Sequence, residues 1–245
     1  MPKFITELHH MLTKRTLLTK KESSDLLIAV LITTVILAIN DGTTSTTITY
    51  YWFAHLAVAL LASYIALTIN IVSSKIYAGF KGFKSQFTIN YIGLFGGLIL
   101  SIMLNGLPIF AFGGSKSLID KKRNITRQNP TALTSEMATS AILAALSNLI
   151  LGTVLIVIAR LISNSLIEFA GIVNLLFAVY SLLPVPMYTN AFPLMFHSRT
   201  WYVTVLGGII TYSIIITKAS VASSILFSIL GATLVGYWYF KSYEK

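Results

Sequence analysis

Apolar residues run along this chain in blocks too long and too unbroken for the helices or strands of a water-soluble core. One block covers about residues 25–40, closed by the Asp41-Gly42-Thr43 turn. A second covers about 49–76 and opens on Tyr50, Tyr51 and Trp52, where an interfacial aromatic belt belongs. Further blocks occupy about 133–162, 166–187, 201–217 and 220–240, the last ending in Tyr237-Trp238-Tyr239. Stretches of roughly twenty uncharged residues match the ~30 Å of hydrocarbon that a helix must cross. Two segments break the pattern. Residues 79–91 carry glycine and partly alternate, which predicts strand or loop. The run 92–113 is apolar but interrupted by Gly93, Gly96, Gly97, Asn105, Gly106 and Pro108.

Ahead of these blocks, residues 1–23 space Phe4, Ile5, Leu8, Met11, Leu12 and Leu17 at helical intervals among five lysines and arginines. That pattern predicts an amphipathic segment lying at the membrane surface. The division is therefore 1–23 interfacial and 24–245 a single polytopic membrane domain, with a special element at about 79–113 and a polar loop at 114–132. Composition agrees, with 55% hydrophobic and 11% charged residues, against about 25% charged in soluble domains. No cysteine is present, so disulfides and thiolate metal ligands are excluded.

The net charge of +10 has two readings, nucleic acid or topology. Its placement selects the second. If 92–113 enters and leaves on one face as a re-entrant hairpin, six spans remain. Sixteen lysines and arginines then share a face with both termini, leaving only Arg160 and Lys218 opposite. If 92–113 spans instead, Lys116, Lys121, Lys122, Arg123 and Arg127 move across together with Arg199, Lys241 and Lys245. The positive-inside rule favours the re-entrant arrangement, with both termini cytoplasmic. Non-helical backbone at that depth is tolerable when protein covers it. The basic surplus then serves lipid headgroups, with no nucleic-acid role. The expected fold class is an all-α membrane protein of about six helices with a re-entrant hairpin or short β element.

Three fragments in order carry a family resemblance. The second block ends in Asn70-Ile71-Val72-Ser73-Ser74-Lys75-Ile76-Tyr77-Ala78, with Gln86-Phe87 and the glycine-broken run following. Ala144-Ala145-Leu146-Ser147-Asn148 comes next, then Ser181-Leu182-Leu183-Pro184-Val185-Pro186-Met187-Tyr188-Thr189-Asn190. Over roughly 25–200 this layout resembles the site-2 protease family of intramembrane zinc metalloproteases, in particular its compact archaeal-type members. In that family a HExxH motif ends such a helix, a Gly-Pro-Leu-x-Asn element follows, and an Asn-x-x-Pro-x-Pro-x-x-Asp-Gly signature supplies the third ligand.

Carried over residue by residue, the resemblance puts Asn70 and Ser74 at the two histidines, Ile71 at the general-base glutamate and Thr189 at the ligand aspartate. Helical i, i+4 spacing still sets Asn70 and Ser74 on one side. An amide and two hydroxyls are poor zinc donors, and an isoleucine can neither polarise water nor move a proton. The resemblance leaves Asn148, Pro184, Pro186 and Asn190 as cleft or packing residues. His55, within Tyr51-Trp52-Phe53-Ala54-His55, offers no second histidine and no glutamate, and reads as bonded inside the bundle or at the interface. His9 and His10 read as solvated, and His197 as a loop residue beside Arg199. Ser73, Ser74 and Ser147 lack a base, since Lys75 reads as pointing toward headgroups. Gly93-x-x-Gly96-Gly97 and Gly207-Gly208 suit close helix packing.

The expectation that follows is a pseudoprotease without zinc or other cofactor. It would be a scaffold or accessory subunit that contacts lipid and other transmembrane proteins in a hetero-oligomeric complex, in a plasma membrane of archaeal type. The alternative is a small transporter or channel, suggested by the glycine- and proline-broken segments at 92–113 and 184–193. An active intramembrane protease fits the residues least.

Overall fold

The structure is a computed structural model and describes residues 18–39, 50–81, 84–104, 106–108, 110, 112–118, 130–184 and 191–243. Eight helices and one two-stranded ladder make up these residues. In chain order they are α1 (Lys20–Ala38), α2 (Tyr50–Phe80), β1 (Lys84–Ile89), α3 (Tyr91–Met103) and β2 (Gly113–Leu118), then α4 (Pro130–Ile162), α5 (Ser165–Ser181), α6 (Ala191–His197), α7 (Arg199–Ile216) and α8 (Val221–Tyr243). Among the described residues, α2, α4, α7 and α8 are long and apolar enough to cross a membrane, and large aliphatic and aromatic side chains cover their outer faces.

Local chemistry sets the boundaries. Thr19 and Glu22 form a reciprocal capping box that starts α1. The α4–α5 turn is very tight because Ser163 takes a left-handed φ of 53° while the Asn164 N–H returns to the Ala159 carbonyl at 3.0 Å. Asn164 then caps α5 by accepting from the Leu166 and Ile167 amides. Gly106, at φ 86°, stops the chain after α3 and donates to the Ser101 carbonyl at 2.7 Å.

β1 and β2 pair antiparallel, from Lys84 opposite Leu118 to Ile89 opposite Gly113. The 23 residues between them, 90–112, therefore leave the ladder and return to the same place. The outward leg is α3, which buries Leu94, Gly97 and Ser101 and packs on α1. On the return, Phe110 and Phe112 lie against Phe177, and the Tyr180 hydroxyl donates to the Pro108 carbonyl. Covering non-helical backbone with protein removes the cost of unpaired amides in an apolar medium. The sequence reading of 114–132 as loop needs correction, because 113–118 is the second strand. Its residues do not alternate in polarity, so no local pattern marks them.

Helix α5 lies at the centre, packed against α2, α4 and α7, and almost every residue after its first turn is shielded. The two ends of the bundle differ in charge. Lys20, Lys21, Lys75, Lys81, Arg199 and Lys241 lie at the end that carries the ladder, together with the backbones of Lys84 and Lys116. Arg160 and Lys218 lie at the other, where Arg160 donates to the Ala219 and Ile216 carbonyls that finish α7.

Candidate functional site

Helix α2 carries the residues that sequence singled out. Asn70, Ile71 and Ser74 fall on consecutive turns and are all buried, at 3%, 0% and 2% exposure. Ile71 belongs to the cluster that includes Leu67, Phe87, Val173 and Phe177, so it is packed among the chain's own apolar side chains. Asn148 is fully buried on α4. Pro184, half-buried, follows the end of α5. Thr189, Pro186 and Asn190 lie outside the described residues.

These residues do not form one cluster. From the contact of Tyr77 with Glu136, Asn70 lies seven residues along α2 and Asn148 twelve along α4. The two asparagines thus differ in depth by ~7.5 Å at 1.5 Å per residue. Pro184 is further from Asn148, by more than ~10 Å along α5. Of the described residues in this set, Asn70 and Ser74 offer an amide and a hydroxyl, which are poor zinc donors. Among the described residues, no three His, Asp or Glu side chains gather in a metal-binding group.

A different feature of α2 is more extensive. His55, Ser63, Asn70, Ser74, Tyr77 and Lys81 recur on one face, with Ala59 and Ala66 completing steps of three or four residues. The face runs the length of the helix and, from His55 to Ser74, is buried. At its upper end the His55 ring lies 4.0 Å from that of Phe169 on α5, in keeping with a histidine held inside the bundle. At its lower end Tyr77 and Lys81 both bond Glu136 of α4, the lysine at 2.9 Å. The opposing surface supplies Asn148, and Asn174 on α5, which is fully buried and donates to the Ala170 carbonyl at 2.8 Å. Asn174 went unremarked because one asparagine inside an apolar run has no periodic partner.

Glu22 is the other residue the sequence reading passed over. It is 1% exposed and accepts from the Thr19 amide at 2.7 Å and the Phe87 amide at 2.9 Å. The Lys75 ammonium lies 2.7 Å from its Oε1. One carboxylate thus ties α1, α2 and β1 together just outside the apolar length of α1. Burial acts to raise its pKa, but the Lys75 ammonium and the Thr19 and Phe87 donors outweigh it and hold the carboxyl below its ordinary range. The reading of Lys75 as pointing toward headgroups is corrected, since its partner lies 53 residues away in sequence. The Thr19-x-x-Glu22 capping box was the visible signal. His197 also moves, from a loop to the last residue of α6, where it is exposed.

Compared with protein-family models, with curated proteins and with solved structures, the chain finds no match in any of the three.

Proposed function

We propose that the protein is a non-catalytic membrane protein of site-2-protease-like layout that serves as an accessory or scaffold subunit of a larger membrane assembly. The observation that carries this reading is the turn of α2 from Asn70 to Ser74. By the sequence resemblance it stands where a catalytic motif would; Asn70, Ile71 and Ser74 are buried, and Ile71, at the general-base position of that resemblance, is embedded in apolar side chains. The ladder that follows α2, with Phe87 buried at its centre, supports the layout. Because the chain's own side chains cover these positions, partner contacts fall on the outer faces of the helices, where packing and hydrogen bonds drive association in lipid.

The topology that belongs to this reading has six crossings, by α1, α2, α4, α5, α7 and α8. Helix α3, with 13 residues, reaches only ~20 Å and re-enters. The concentration of cations at the ladder end supports placing that end, and both termini, on the cytoplasmic side of a plasma membrane.

Purification in mild detergent tests the proposal. The expected result is a stoichiometric complex with other transmembrane chains and no zinc dependent on residues 70, 74 or 189. Isolation as a lone monomer that binds one zinc through these residues overturns it. The second reading, a small transporter or channel, draws on the polar face of α2. Solute flux by the lone protein in liposomes would favour it.

A further inference from the structure

The polar face of α2 meets α4 and α5 in the interior of the bundle, and several of its groups are unpaired. Ser63 Oγ, Asn70 Nδ2, Asn174 Oδ1 and both amide atoms of Asn148 are buried without a hydrogen-bond partner, in residues at most 3% exposed. The glycine contact between α4 and α5 fixes where two of them sit. A Cβ on Gly152 would lie 2.9 Å from the Gly171 carbonyl oxygen, so the two backbones touch there. Asn148 lies one turn before Gly152, and Asn174 one turn after Gly171. Since α4 and α5 run antiparallel, both asparagines fall on the same side of that contact at similar depth. Asn174 sits between Val173, which packs in the cluster built on α2, and Leu175, which packs against Ile156 of α4. It therefore occupies the junction of the three helices. Counting from the Tyr77–Glu136 contact, Asn148 lies level with residue 65 of α2, close to Ser63.

Unpaired amides and hydroxyls are unfavourable in an apolar interior, and native folds satisfy them with protein or with water. The composition of this group selects the ligand. Asn70 and Asn148 offer N–H donors, Asn174 and Asn148 offer carbonyl acceptors, and Ser63 can do either. A cation would want oxygens alone and a carboxylate nearby, and the Asn70 and Asn148 amide donors oppose it. Water wants two to four partners of mixed type, which is what the site supplies.

We propose that the junction of α2, α4 and α5 binds ordered water that bridges Ser63, Asn148 and Asn174 and continues toward Asn70. The site is separate from the Glu22–Lys75 pair, and it stands whether or not the chain is related to proteases. Its role is to satisfy the interior polar groups while leaving them free to exchange partners, so the bundle core is hydrated where its outer faces are dry.

The cysteine-free chain allows a direct test. Brief X-ray radiolysis turns bound water into hydroxyl radical in place, which oxidises a nearby thiol. Ser63→Cys is compared with Ala178→Cys, a position equally buried but inside an apolar cluster. The thiol at position 63 is expected to oxidise several-fold faster than the one at 178. Adding Asn148→Leu and Asn174→Leu together should bring the rate at 63 down to that at 178. If Ser63→Cys does not yield folded protein, Ala66→Cys on the same face replaces it. Equal rates at the seam and control positions in folded protein overturn the proposal. A structure at high resolution with direct Asn148–Asn174 hydrogen bonds and no bridging density overturns it too.

Discussion

Two helical hairpins in this molecule solve the same packing problem in different ways. In α4–α5 the glycines Gly152 and Gly171 face each other, and a Cβ on Gly171 would meet Ile156 Cγ1 at 2.7 Å and the Gly152 carbonyl oxygen at 3.0 Å. In α7–α8 the glycines face side chains instead. Gly231 lies against Thr211, Gly236 against Thr204, and Ser228 donates to the Gly208 carbonyl at 2.9 Å. The surroundings differ as well. Helix α5 is enclosed by three other helices, whereas among the described residues α8 packs substantially on α7 alone. Only 11% of the most apolar stretch of α8 is shielded within the protein, against 39% for α2. The first hairpin is a wall of the interior. The second is an attachment to its edge, held by small residues and hydroxyls, as association in lipid permits.

The comparison is broken most severely at the ion pair that anchors the enclosed body. Lys75→Met leaves the Glu22 carboxylate buried with no counter-charge, and such a loss costs about 3–5 kcal/mol. The expected outcome is early unfolding of the α1–α3 region in detergent, read by the denaturation midpoint and by proteolysis near the ladder. The α7–α8 hairpin lies outside the bonds that Glu22 makes to Thr19, Phe87 and Lys75, and should keep its protease resistance while the body opens. Glu22→Gln combined with Lys75→Met should recover part of the loss, because no charge is then stranded. Simultaneous loss of both regions would show that they are one cooperative unit.

The glycines give the next test. Gly152→Ala forces a methyl onto backbone that cannot step aside, and overpacking of this kind costs about 3 kcal/mol. A gain of about 1 kcal/mol in helix propensity offsets part of that. Gly231→Ala meets the Thr211 side chain, with Oγ1 at 2.6 Å. Turning the threonine away costs its bond to the Gly207 carbonyl, about 1 kcal/mol, and Thr211 Cβ at 3.1 Å must still give by a few tenths of an ångström, so the same propensity gain offsets part of the loss. A clear drop in thermal midpoint is expected at 152 and a smaller one at 231. Equal drops would remove the distinction between wall and attachment.

Acidification separates the regions without mutation. The folded state holds Glu22 below its ordinary carboxylate pKa, so its contribution is complete above that ordinary value and is lost as pH falls through the depressed one. Denaturation midpoints of the body, followed from neutral pH downward, should decline in that acid window. Glu22→Gln should flatten the decline, and the hairpin should show none of it.

Much of the architecture could be read in the sequence because apolar blocks of membrane length report themselves. The boundaries of α2, α4, α7 and α8 fall within a few residues of the hydropathy pattern. Charge placement suggests a re-entrant element over 92–113; what the structure adds is the pairing of β1 with β2, which brings the two ends of 90–112 together. Long-range pairings were not legible. Nothing near Lys75 names Glu22, and nothing near Tyr77 names Glu136, since each partner is chosen by folding. The glycine-bearing strand at 113–118 and the short α6 lack the periodicity that a one-dimensional reading depends on. At the candidate site the sequence supplied the positions on α2 and α4, but their difference in depth needed the helix register.

The smallest effect is the most discriminating for the attached hairpin. Ser228 reaches across the seam to the Gly208 carbonyl, which already serves its own helix, so the bond supplements the helical ladder. Interhelical hydrogen bonds in membranes average about 0.6 kcal/mol, because in the separated state each group finds another partner. Ser228→Ala should therefore lower the thermal midpoint only slightly and leave the α7–α8 contact intact. If shape carries the seam, Ser228→Leu should do much more damage, since Gly208 leaves space for a small side chain only, with Ser228 Oγ at 3.6 Å and Ala232 Cβ at 3.2 Å from its added Cβ. A loss from Ser228→Ala as large as that from Ser228→Leu would mean that hydrogen bonding holds this hairpin, and its likeness to the glycine-packed α4–α5 wall would end there.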